Sequence, residues 1–350
     1  MKKRCGSNGF ERFALVGYKD DTGIGRQCHN MQSILQIGFH LVAPSKRLPG
    51  HPLHSERERA LPLSLSESEL KRLISDLEGL IIIERNKWHK SLFHIAKQHS
   101  KRVILVPNWE WFDPSDPAYL CVDQFVVHSD YAQQFLLSYG FANTVLLPPP
   151  IDLTLLPSRK IVGLPHKFFH NAGIIDPTDR KGTSLVLAAW ENKRESNATL
   201  LIRYQASAIP FPPHRKFKNV IFEADSKQCV AELYIDGHCA VQPSRLEGLG
   251  YMVIEPLLCG IPTITTGRPP MNEYAQGTVF CEALESKDMS YPRQRGIGCA
   301  PLFDVIIPTL TKLLEDLEST DVSSLAHEAR LFREQFDHTK VRDAWNTLLK

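Results

Sequence analysis

Short apolar runs separated by amphipathic segments recur through the whole chain. That alternation predicts layered α/β domains built on mostly parallel sheets. In the first half the runs predict strands at Phe13–Tyr18, His40–Ala43, Leu80–Ile83, Val103–Val106 and Gln124–Val127. In the second half they predict strands at Lys167–His170, Thr199–Arg203, Val220–Phe222, His238–Gln242 and Pro262–Thr265. A helix over 67–78 opens at Ser66-x-x-Glu69, a reciprocal cap that satisfies amides at a helix start. Pro148-Pro149-Pro150 is stiff and incompatible with a helix, so it marks a domain boundary. Residues 284–301, with Pro292, Gly296 and Gly298, read as an irregular loop ahead of helices over 302–318 and 323–348.

Composition narrows the class. At 350 residues the chain exceeds the size at which one core usually stops growing, so two domains are expected, and 43% hydrophobic content fills both. The net charge of +2 is spread evenly, which disfavours duplex nucleic acid as a partner without removing it from the field. The cysteines at 5, 28, 121, 229, 239, 259, 281 and 299 form no Cys-x-x-Cys pair and read as reduced, mostly buried thiols. Lys2-Lys3-Arg4 is followed by no apolar core of a secretory signal, and no apolar run reaches membrane-spanning length. A soluble, cytoplasmic protein is expected. A membrane-surface contact is compatible with the sequence, but nothing in it calls for one.

The segment from Pro243 to Gly260 carries the chemistry: Pro-Ser-Arg-Leu-Glu-Gly-Leu-Gly-Tyr-Met-Val-Ile-Glu-Pro-Leu-Leu-Cys-Gly. Carboxylates are strong acceptors for vicinal sugar hydroxyls. A helix advances about 100° per residue, so Glu247 and Glu255 on one continuous helix would sit roughly 80° out of line. The pair makes sense split between a loop and the element after it. Gly248-Leu249-Gly250 lets the backbone come close to a ligand.

This segment closely resembles the signature of the family-four retaining glycosyltransferases, in which Glu-x7-Glu follows Pro-Ser and is interrupted by Gly-x-Gly. Pro243, Ser244, Gly248, Gly250 and the run Cys259-Gly260-Ile-Pro-Thr-Ile-Thr265 all stand where that family has them. The resemblance implies the GT-B fold: α/β, with two Rossmann-like domains whose mostly parallel sheets face a central crevice. It implies an N-terminal acceptor-side domain over 1–147 and a nucleotide-sugar domain over 148–330. The C-terminal helix of 331–350 would cross back to the first domain. It assigns Glu247 to the donor sugar and Glu255 to the ribose, with Ser244, Gly248, Leu249 and Gly250 around the donor. No cofactor and no metal are implied, because fixed cations take the place of a metal.

Two turns would supply those cations and amides. Gly23-Ile24-Gly25 follows the first strand and leads into a helix, where backbone amides can stabilise a diphosphate. Taken alone, Gly-x-Gly is a weak signal and a plain tight turn is the favoured reading. The family's glycine loop at this place implies contact with the donor pyrophosphate. In the second domain, Asn171-Ala172-Gly173 leads to Arg180-Lys181-Gly182, matching the family's glycine-ended strand and its later Lys-Gly. Ile174 stands where an arginine often follows the glycine. Lys181, with Arg180 beside it, would then stabilise charge on the leaving phosphate, a larger role than that of two solvated cations at a helix start.

Asn108-Trp109-Glu110-Trp111 follows the fourth strand where relatives carry a histidine that contacts the donor sugar. These residues are acceptor-side candidates, and the two tryptophans read equally as sugar-stacking faces or as structural plugs. The proline-interrupted 45–65 segment, with Lys46, Arg47, His51, His54, Arg57 and Arg59, is long for a structureless loop and is either solvated or in contact with an acceptor. His89 and His94 lack metal-ligand spacing and read as surface and core residues. Gly267 to Tyr274 resembles a variant of the family's Gly-Gly-x-x-Glu turn, with Glu273 at its end.

The reading that follows is a retaining transferase moving a sugar from a nucleoside diphosphate donor to an acceptor hydroxyl. The acceptor is unread: a glycan, a lipid-linked carrier, a small metabolite or a modified nucleobase each fits. Two alternatives stay open at this stage, a nucleotide-sugar epimerase of the same fold and a non-catalytic nucleotide-sugar-binding protein.

Overall fold

The computed structural model describes residues 9–45, 49–84, 88–175, 177–207, 209–213, 216–224, 229–292 and 299–349. Among them the chain divides into two compact units, one reaching to Asp152 and regaining the chain from Phe336 onward, the other running from Leu153 to Gln335.

The first unit contains β1 (Phe13–Gly17), α1 (Gly23–Leu35), β2 (Phe39–Val42), β3 (Glu58–Ala60), α2 (Glu67–Leu73), β4 (Gly79–Ile83), α3 (Leu92–Gln98), β5 (Arg102–Val106), β6 (Gln124–Val127), α4 (Asp130–Ser138) and β7 (Thr144–Leu146). Its strands lie in the order β3-β2-β1-β4-β5-β6-β7, every pairing parallel. A central parallel strand is covered on both faces, which is why β4 reads Gly-Leu-Ile-Ile-Ile and is buried along its whole length. The helix expected over 67–78 has its reciprocal cap, Ser66 Oγ accepting from the Glu69 amide at 3.3 Å and Glu69 accepting from the Ser66 amide at 2.8 Å. It stops at Leu73, because the chain must turn to bring the Glu78 amide to the Arg12 carbonyl before β4.

The 45–65 segment is not structureless. Its β3 pairs with β2, and the Arg59 guanidinium holds Asp76 at 3.0 and 3.2 Å while lying 4.6 Å from the centre of the Phe39 ring. Lys46 and Arg47 lie outside the described residues.

The second unit contains β8 (Lys167–Ile175), α5 (Thr183–Asn192), β9 (Thr199–Ser207), β10 (Val220–Ala224), α6 (Glu232–Ile235), β11 (Cys239–Gln242), α7 (Tyr251–Leu258), β12 (Thr263–Thr266), β13 (Thr278–Cys281), β14 (Ala283–Pro292), β15 (Cys299–Val305), α8 (Ile307–Glu318) and α9 (Ser323–Arg333). Its six-stranded sheet runs β10-β9-β8-β11-β12-β13, again parallel throughout. Strand order reverses between β8 and β11, so the connections leave their carboxyl ends in opposite directions and open a place for a ligand there.

Residues 284–301 differ from the expected loop. β14 and β15 form an antiparallel hairpin with Ala283 opposite Val305 and Glu285 opposite Phe303. The charged residues and prolines of this stretch hid the pairing, and Gly296 and Gly298 lie outside the described residues. The helix expected from 302 begins only at Ile307.

The long C-terminal helix expected over 323–348 is broken into α9, a short 3-10 turn and α10 (His338–Asn346). In the first unit α10 packs Val341 and Trp345 into the core formed by Leu15, Met31 and Ile34, with Trp345 Nε1 donating to the Pro148 carbonyl at 3.0 Å.

Candidate active site

The loop after β11 carries Ser244, Glu247, Gly248, Leu249 and Gly250, and α7 begins at Tyr251. Glu247 therefore lies on the loop and Glu255 within the helix. Gly250 adopts φ +81 at the helix start, a left-handed conformation that a side chain would strain. Tyr274 props this loop from the following turn, its hydroxyl donating to the Leu249 carbonyl at 2.8 Å. No sequence signal marked Tyr274 for that role.

Lys181 comes to Glu247 from the loop after β8. Its Nζ donates to Glu247 Oε1 at 2.5 Å, and Arg180 Nη1 lies 3.8 Å from Oε2. Only 5% of the Glu247 side chain is exposed. Burial alone would raise its carboxyl above the ordinary range, but the charges of Lys181 and Arg180 outweigh burial and hold it below. The result is an ionised carboxylate and two cations at the β8/β11 reversal of strand order.

The loop that delivers the cations is held at several points. Asp179, at φ +46, accepts from the Thr183 and Ser184 amides at 2.8 and 2.9 Å and so caps α5. Gly182 adopts φ +72, and a Cβ there would collide with the Pro243 carbonyl oxygen. His170, fully buried on β8, has Nδ1 2.8 Å from the Val241 carbonyl and Nε2 2.9 Å from Thr183 Oγ1. Since a carbonyl only accepts, Nδ1 carries the proton and Nε2 accepts from the threonine. Burial pushes this histidine down to about 4, so it is neutral at physiological pH. A lone histidine in an apolar strand gave no hint of this tie.

Gly173 was expected at the start of the turn, but β8 continues through it to Ile175. The glycine, at φ +63, sits between register shifts in the β8–β9 ladder, a bulge that re-aims the strand end. Ile174 pairs with Ala206 in that ladder. Glu255 is buried and accepts from the Tyr234 hydroxyl at 2.6 Å, a partner the sequence did not suggest.

In the first unit Gly23, Ile24 and Gly25 form the first turn of α1, not a loop ahead of it. Thr22 caps the helix, its Oγ1 accepting from the Gly25 amide at 3.2 Å. Gly25 is required for packing, because a Cβ would collide with the Asp20 carbonyl. Asn108 precedes a 3-10 turn over Trp109–Trp111. Trp109 is buried edge-on against Tyr131 and Phe135, with ring centres 4.9 and 5.6 Å away, and so packs as a plug. Glu110 is buried, whereas Asn108 and Trp111 are half-buried. His89 is buried with Nε2 2.7 Å from the Leu65 carbonyl, and His94 is exposed. Among the described residues no group of three or more His, Cys, Asp or Glu is placed to hold a metal, and no helix is long and apolar enough to cross a membrane.

No family model matches the sequence, and no curated protein matches it. Similarity to solved structures is clear. A glycosyltransferase from Rickettsia africae superposes with a TM-score of 0.65 at 12% identity, over 97% of each chain. Sucrose-phosphate synthase from Thermosynechococcus elongatus gives 0.64 at 13% identity, over 96% of this chain and 97% of that one. The pneumococcal O-GlcNAc transferase GtfA, solved with UDP and GlcNAc, gives 0.56 at 13% identity over 81% of this chain, which spans only 58% of that protein. Two parallel sheets of matching arrangement, and these superpositions, establish that the chain has the GT-B glycosyltransferase fold.

Proposed function

We propose that the protein is a retaining glycosyltransferase that moves a sugar from a nucleoside diphosphate donor to an acceptor hydroxyl. The observation that carries this reading is the ion pair of half-buried Lys181 with buried Glu247, Arg180 beside it, at the carboxyl ends of β8 and β11. A diphosphate departing from an oxocarbenium-like sugar centre needs preorganised positive charge, and Lys181 and Arg180 supply it. Glu247, held ionised, accepts from donor-sugar hydroxyls and fixes the ring. Glu255 accepts from the ribose, with Tyr234 orienting its carboxylate. The leaving phosphate takes the acceptor proton on the face from which it departs, so configuration is retained without a protein nucleophile.

The two cations make a metal unnecessary in this scheme, and no cofactor enters it. Gly23 and Ile24, in the first turn of α1, offer amides to the pyrophosphate. Asn108, Glu110 and Trp111 belong to the acceptor side. The fold neighbours support the donor class, since GtfA was solved with UDP and GlcNAc. Buried, unpaired thiols such as Cys28, Cys239 and Cys259 fit a reducing cytoplasm. The test is a thermal-shift screen of nucleotide sugars followed by assay of the best binder for release of nucleoside diphosphate. Stabilisation by one donor with slow hydrolysis is expected. Stabilisation without any turnover, with every acceptor class tried, would leave a binding protein in place of the enzyme.

A further inference from the structure

Arg245 stands two residues before Glu247, yet its contacts join the loop of the two cations to the β14–β15 hairpin. Its Nε pairs with Asp304 of β15 at 2.5 Å. One terminal nitrogen donates to the Thr178 carbonyl at 2.6 Å, and the other reaches Ser286 Oγ of β14 at 3.4 Å. Its backbone amide donates to the Arg180 carbonyl at 2.8 Å, and its own carbonyl accepts from the Phe303 amide at 3.0 Å. The residue thus grips the Thr178–Arg180 backbone from one side and is itself anchored to the hairpin from the other.

That grip is needed because the 177–182 loop has an unfavourable backbone. Asp179 is a non-glycine residue at φ +46, a left-handed conformation that persists only where its surroundings enforce it. Asp179 secures the end nearer α5, but the carbonyls of Thr178 and Arg180 are held by Arg245. A planar guanidinium can reach Asp304, Thr178 and Ser286 at once in a fixed geometry, whereas an ammonium is a single point of charge. Arg245 is also nearly buried, so its charge cannot be left without Asp304 at little cost.

We infer that Arg245 is a positioning residue: anchored by Asp304 of the hairpin, it fixes the 178–180 backbone and thereby aims Arg180 and Lys181 at Glu247. The β14–β15 hairpin becomes part of the support of the site. The functional consequence rests on the transferase reading, but the positioning itself does not.

The test uses the full chain with Arg245→Lys, which keeps the charge and loses the fork, and Asp304→Asn, which keeps the shape and an acceptor but removes the anchoring charge. The first readout is the rate at which Lys181 is acylated by an amine-reactive reagent, followed by mass spectrometry on folded protein. Lys181 held against Glu247 should react slowly in the wild type and several-fold faster in both variants. The second readout is calorimetric affinity for UDP, GDP and ADP against their nucleosides. The best diphosphate should weaken by about tenfold with its nucleoside unaffected. Donor turnover should fall on the order of a hundredfold, the usual effect of displacing a reacting group by about 1 Å. Unchanged Lys181 reactivity in Arg245→Lys, with melting confirming the fold, would overturn the inference. Faster Lys181 acylation in a protein that binds none of the diphosphates would uphold the positioning and reject the transferase reading instead.

Discussion

Lys181 and Glu247 are 66 residues apart in the chain and meet at 2.5 Å, with 16% of the lysine side chain and 5% of the glutamate side chain exposed. β8 and β11 are neighbours in the sheet, and each residue lies on the loop that leaves one of them. The pair is poised in opposite senses: the carboxylate suits sugar hydroxyls and the ammonium suits phosphate. A donor molecule would have to part them, and each would then face the part of the ligand it matches.

Removing Glu247 should therefore separate the two ligand parts. In Glu247→Ala, Lys181 loses its counter-ion, so free nucleoside diphosphate should bind at least as well as to the wild type. Turnover of the nucleotide sugar should fall strongly. Calorimetry with both ligands checks this, and equal losses of affinity for the two would mean the glutamate does not address the sugar.

Glu255 calls for a gentler change, because alanine would leave the buried Tyr234 hydroxyl without its acceptor. Glu255→Gln keeps an acceptor and removes the charge. A charged hydrogen bond is worth about 1.5–3 kcal/mol, so affinity for diphosphate and nucleotide sugar should drop together by roughly ten- to a hundredfold. Undiminished diphosphate affinity with a normal melting temperature would remove Glu255 from the ribose.

Gly182 links backbone strain to the site. Gly182→Ala places a methyl group against the Pro243 carbonyl at a φ of +72. The expected cost is about 1–3 kcal/mol of stability, together with reduced turnover as Lys181 shifts. A melting temperature and activity both equal to wild type would show that the 177–182 and 243–250 loops are not packed this tightly.

How much of this was legible in sequence depended on whether the signal was local. The central strands were, because a strand such as β4 must be apolar on both faces. The β14–β15 hairpin was not, since its charged and proline-bearing stretches carry no clean alternation and its pairing satisfies backbone, not pattern. The three-residue β3 and β7 were too short to rise above their surroundings. The resemblance of two local motifs to the family's singled out Glu247 and Lys181 one at a time, but their ion pair depends on which strands become neighbours. Tyr234, Tyr274, His170 and Arg245 are solitary residues whose importance lies in what they touch, so no spacing could mark them.

Acid sensitivity follows from three histidines, His40 and His170 buried and His128 half-buried. His40, His128 and His170 are each pushed from 6.5 down to about 4, chiefly by burial. Between those values the unfolded chain binds protons that the folded chain does not, so stability is intact above 6.5 and is lost as pH falls toward 4. Each histidine contributes up to about 1.4 kcal/mol per pH unit across that window. Denaturant titrations across the window should show this slope, and His128→Asn should reduce it by about one proton's worth. A slope unaltered by the substitution would mean that His128 is protonated in the native protein.

The most direct measurement of the central claim is donor turnover at saturation, with the product anomer followed by NMR, in the wild type and in the Lys181→Ala Arg180→Ala double variant. The wild type should release nucleoside diphosphate and first form the sugar product with the donor's own anomeric configuration. The double variant should lose on the order of a hundred- to a thousandfold in turnover, the usual effect of removing preorganised charge stabilisation. Near-normal turnover in the double variant, or a first product of inverted configuration, would contradict that claim.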